Sequence, residues 1–164
     1  MERILEKISN YHLFNNLVPG VIFIITSDYI LETNIYNDNL LYLFFISYFI
    51  GIIISRFGSL VTANILYKFT KEKGESYKNY IISCQKDDKI EVLMQDKNMY
   101  RNLCTMLILL LVLKLFSMLK VYFKINNDWM IIIILVILII LFAISFLKQN
   151  KYISSRIRAN KKLK

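Results

Sequence analysis

One proline and four glycines in 164 residues are too few for a collagen-like or low-complexity chain, and a 56% share of hydrophobic residues excludes a disordered one. Cysteine is as scarce. Cys84 and Cys104 belong to no paired motif, so neither a disulfide nor a thiolate metal site is expected. The single histidine, His12, has no sequence partner for metal binding or nucleophilic work, and no glycine loop of the phosphate-cradling kind occurs. The common catalytic constellations are therefore missing. The expectation is a protein that is not an enzyme and uses no metal and no cofactor.

What the chain has instead is apolar residues gathered in long blocks, where a soluble domain of this length would distribute them in periodic stripes. Residues 129–147 carry no charge over nineteen positions, enough at about 1.5 Å per residue to cross a hydrocarbon core of roughly 30 Å. Residues 103–123 form a second block that includes Lys114 and Lys120, residues 40–66 a third interrupted by Arg56, and residues 13–31 a fourth weakened by Asn15, Asn16, Pro19 and Asp28. The pattern predicts an all-α integral membrane protein with four transmembrane helices, arranged as two hairpins joined by a cytoplasmic helical connection. Its parts are a first transmembrane hairpin at 1–66, the connection at 67–102, a second hairpin at 103–147 and a basic cytoplasmic tail at 148–164.

Orientation follows from the placement of Lys and Arg. The connection carries eight basic residues and the tail seven, whereas residues 27–39 carry none and hold Asp28, Glu32 and Asp38. Both termini and the connection are therefore expected in the cytoplasm of a bacterial cell, with the protein in its inner membrane. No cleavable signal peptide is expected, because residues 1–12 balance Glu2 and Glu6 against Arg3 and Lys7 and no small-residue cleavage site follows. Within the connection, Asp88 followed by Glu91 has the form of a capping box, and residues 76–85 show helical spacing.

Ser47, Gly51, Ser55, Ser59 and Ala63 recur every four residues in the second span, a ridge of small side chains that lets another helix approach closely. The ridge serves packing within one protomer, contact between protomers, or the wall of a water-filled path. Arg56 beside it either snorkels to the headgroups or is clasped by Asn15 and Asn16 of the first span. Lys114 falls near mid-span, where a charge costs on the order of 3 kcal/mol or more unless it is paired or hydrated. Asp28 is its candidate partner, a pore lining the second reading, and snorkelling or a shifted span boundary the third. Pro19 either starts the first helix or kinks it. Arg156, Arg158, Lys161, Lys162 and Lys164 of the tail are read as lipid anchors, without aromatic interleaving that would suggest specific nucleic-acid binding.

The segments Asn15-Asn16-Leu17-Val18-Pro19-Gly20 and Gly51-Ile52-Ile53-Ile54-Ser55-Arg56-Phe57-Gly58-Ser59-Leu60 resemble those of small multi-pass bacterial membrane proteins. The plan of few short spans with a compact charged portion is similar to that of effectors found beside anti-phage defence systems. The resemblance is architectural and transfers no functional residue. It implies a homo-oligomer that perturbs the inner membrane or recruits a cytosolic protein partner through residues 67–102, with membrane lipids as its other contact. A small constitutive channel or transporter component, or a membrane scaffold, is the alternative.

Overall fold

In the computed structural model, residues 2–31, 39–70, 77–84, 87, 89–123 and 127–161 are described, and all of them except Asn39 and Asp87 lie in helices. Helix α1 spans Glu2–Leu31. Helix α2, Leu40–Phe57, starts where the Asn39 side chain accepts the N–H groups of Leu41 and Tyr42 at 3.0 and 3.3 Å, as an N-cap does. It runs through a π-helical turn, Gly58–Thr62, into α3, Ala63–Thr70. The Ala63 N–H reaches back five residues to the Gly58 carbonyl, the wide turn that one extra residue creates. Helix α4 spans Tyr77–Cys84, α5 Lys89–Phe123 and α6 Asn127–Lys161.

Among the described residues, four helical stretches are long and apolar enough to cross a membrane: Leu13–Ile30, Leu40–Phe69, Lys89–Leu119 and Ile132–Arg158. Two exceed the sequence expectation. Helix α5 joins the end of the 67–102 connection to the third span without a break, and α6 does the same for the fourth span and the tail. The divisions at 102 and 147 are thus changes of composition inside continuous helices. The expected cap residue Asp88 is outside the described residues; it is Asp87 whose carboxylate accepts the Lys89 N–H at 2.9 Å.

Pro19 does not start α1. The helix begins seventeen residues earlier, at Glu2, and encloses the proline, which is fully buried. Next to it, α1 and α2 cross in antiparallel fashion with their backbones in contact. A Cβ on Gly20 would strike the Ser47 carbonyl oxygen, and a Cβ on Gly51 would strike that of Asn16. Each helix thus offers one glycine and, four residues away, the carbonyl that the other helix's glycine receives. Where lipid removes the hydrophobic drive between helices, such proximity supplies the packing energy.

The small-residue ridge needs correction along its length. The buried face of the second span is Ser47, Gly51, Ile54, Gly58 and Thr62, whereas Ser55, Ser59 and Ala63 are half-buried at its edge. At 3.6 residues per turn a strict spacing of four drifts by about 40° per step, so Ser59 has left the face that Ser47 occupies. The π turn, wider than an α turn, swings Thr62 back onto it. Against this face pack Met106 and Leu110 of α5, which with Ile54 form the small apolar core.

Candidate functional site

Asn15, Thr62, Asn102, Thr105 and Lys148 collect at one end of the bundle, where α1, the π turn, α5 and α6 meet. Proline explains the first of them. Lacking an N–H, Pro19 cannot bond the carbonyl four residues earlier, that of Asn15, inside a continuous helix. The Asn102 side-chain amide of α5 donates to that carbonyl at 3.4 Å. Asn102 is 0% exposed, and its Oδ1 accepts from Arg101 Nη2 at 3.1 Å, which fixes the amide with its NH2 toward α1. Arg101 Nη1 in turn donates to Asn98 at 3.0 Å.

One turn along α5, the hydroxyl oxygens of Thr105 and Thr62 lie 3.0 Å apart, and Thr105 bonds the Arg101 carbonyl at 2.7 Å. A hydroxyl holds one proton, so Thr62 supplies the one between the two threonines. Gly58 makes room for this contact: a Cβ there would lie 2.7 Å from the Thr105 hydroxyl. From the other side, Lys148 of α6 donates to both the carbonyl and the hydroxyl of Ser59, at 2.6 and 2.8 Å. Leu141, Ser145, Lys148 and Tyr152 follow one another by four and three residues, the inward stripe of α6. Tyr152 continues the contact to α4, its ring 4.8 Å from that of Tyr77.

These groups border a cleft of about 2060 Å3, open on one side and lined by Arg56, Lys97, Arg101 and Lys148 among its cations. Lys97 donates to the Tyr67 hydroxyl at 2.7 Å, tying α3 to α5. On α4, burial pushes the Tyr80 phenol up, and a side-chain hydrogen bond with Cys84 adds to it. Tyr80 therefore stays protonated as a donor well into alkaline solution. Among the described residues no cluster of His, Cys, Asp and Glu has the makings of a metal site.

The residues singled out from the sequence are placed as follows. Asn15, Asn16, Ser55, Arg56, Ser59 and Ala63 line the cleft, and Ser47 and Gly51 pack on α1. The clasp on Asn15 comes from Asn102, not from Arg56. Among the described residues Arg56 forms no hydrogen bond with Asn15 or Asn16; its side chain is exposed and lines the cleft. Lys114 lies far from this site. Its ammonium donates to the Ile30 carbonyl at 3.1 Å, level with the last turn of α1 and so near one boundary of the spans. Asp28, two residues before Ile30, is half-buried and has an interaction partner. Arg156 and Arg158 are exposed on α6; Lys161 ends that helix, and Lys162 and Lys164 are outside the described residues.

Asn98, Arg101, Asn102 and Thr105 were not among the sequence candidates, although they follow the i, i+3, i+4, i+7 rule of a single helix face. Their position across the expected boundary between connection and span concealed that face. No family model matches this chain, no curated protein matches it, and no solved structure matches its fold.

Proposed function

We propose that the chain is a membrane-embedded component of a bacterial anti-phage defence system. It sits in the inner membrane as two helical hairpins, with both termini and the 67–102 connection in the cytoplasm, and acts without catalysis of its own by assembling and perturbing the membrane or by recruiting a cytosolic partner. The observation that carries this reading is the gathering of Arg56, Lys97, Arg101 and Lys148 at one end of the four-helix body, in a cleft large enough to receive a ligand or a partner segment. By charge asymmetry that end is the cytoplasmic one.

Assembly into a homo-oligomer is supported by α6. Residues 132–137, Ile139 and Ile140 are each 47–68% exposed, so this half of the helix stands clear of the rest of the chain and is available to lipid or to other copies. The defence assignment itself follows the architectural resemblance. Its test is expression in a phage-sensitive bacterium: wild-type protein, together with its genomic neighbours, is expected to lower plaque counts and to depolarise the membrane on infection. Unchanged plaque counts and unchanged membrane potential would remove it. A constitutive transporter component is the second reading, favoured by the size of the cleft; it predicts solute flux in reconstituted vesicles without any infection.

A further inference from the structure

The cleft gathers more positive charge than its own walls neutralise. Asp96 is the one acidic side chain among the described residues that line it, against Arg56, Lys97, Arg101 and Lys148. Three of these cations belong to different helices, α2, α5 and α6, and the Lys148 ammonium lies within the repulsive fields of both Arg101 and Arg56. Like charges brought together on separate helices oppose the packing that brings them together, most strongly at Arg101 and Lys148, which are half-buried. An anion between them reverses the sign of that interaction.

Donor geometry identifies the kind of anion. Lys148 spends two of its three N–H bonds on Ser59 and keeps one. The Arg56 guanidinium forms no hydrogen bond among the described residues, leaving its planar fork available for two parallel bonds to one acceptor group. A tetrahedral group with several charged oxygens can receive both donors at once. The remaining wall is mixed: Ile52, Leu66, Leu93 and Met94 share it with asparagine, serine and tyrosine side chains, so it admits a bare phosphate as well as a phosphate that carries an apolar part.

We propose that the cleft between α2, α5 and α6 binds a phosphoanion, held by Arg56 and Lys148. Two sources share this chemistry, the headgroup of an anionic phospholipid and a soluble phosphate. The inference rests on the reading that this end of the molecule receives its input, but it needs no particular response to that input.

The experiment uses the full chain, purified in a neutral detergent. Retention of phosphatidylglycerol after transfer to phosphatidylcholine nanodiscs is counted by native mass spectrometry, and inorganic phosphate is titrated calorimetrically against the same preparation. The wild type is expected to hold one of the two, with phosphatidylglycerol retained if the source is lipid and phosphate bound if it is soluble. Arg56→Gln combined with Lys148→Gln is expected to weaken that binding by about tenfold. Arg156→Gln with Arg158→Gln, which removes equal charge from the tail, is expected to leave it unchanged. Arg56→Gln alone serves where the double variant fails to fold, since that side chain is exposed. Binding of neither probe, or equal weakening by the tail variant, overturns the proposal. Binding that survives in a protein without effect on phage leaves the proposal standing and removes the defence reading; phage protection by a protein that binds neither probe does the opposite.

Discussion

Pro19 acts on the fold through a bond it cannot make. By withholding an N–H it leaves the Asn15 carbonyl to Asn102, which lies 87 residues further along the chain, and so makes a local exception in α1 into a tertiary contact with α5. Asn102→Ala is expected to destabilise the protein by about 1–2 kcal/mol, measured as thermal unfolding in detergent. In a Pro19→Ala background the loss should be smaller, because an alanine at that position returns the missing donor to the same carbonyl. Additive effects of the two substitutions would show that the carbonyl is not what couples them. Lys114 makes the contrast. Its partner is a carbonyl at an exposed helix end, so Lys114→Met should leave the melting temperature essentially unchanged.

Helix elements were the legible level of this sequence, and for a physical reason. An uncharged run of nineteen residues has few fates other than a membrane span, and the four apolar blocks all reappear as long helices. Phase within a helix is a finer matter. Ser47 and Gly51 meet α1 as a small-residue ridge should, but Ser55, Ser59 and Ala63 do not follow them, because a spacing of four is not the period of an α-helix. A π turn has no reliable sequence signature, so the return of Thr62 to the buried face could not be read in advance. The same holds for Arg101 and Asn102, whose charge and polarity argued for solvent while their helix carried them into the bundle. Two expectations follow for the elements. Gly51→Leu should block the crossing of α1 and α2 and abolish folded monomer in size-exclusion chromatography, the Asn16 backbone having no room to yield. Deleting Leu60 removes the extra residue and turns the rest of that continuous helix, Val61 to the end of α3, by about 100° relative to α2. It should uncouple Thr62 from Thr105, lowering the melting temperature more than Leu60→Ala does.

For the whole molecule the first expectation is topological. A cysteine introduced at Asn79 on α4 should resist a membrane-impermeant thiol reagent in intact cells and react after lysis; labelling from outside would invert the orientation. A second concerns α6. Its 35 residues form a rod about 52 Å long, held at Leu141, Ser145 and Lys148 near its midpoint, with roughly 27 Å of apolar helix on one side of Ser145 and 24 Å of basic helix on the other. The grip continues to Tyr152, whose ring lies 4.8 Å from that of Tyr77 on α4. A force that draws Arg156 and Arg158 sideways, be it from lipid charge or a docking protein, is therefore borne first by Tyr152 on Tyr77 and then by Lys148 on Ser59, so the load on the tail is passed to the cleft before it reaches the apolar arm.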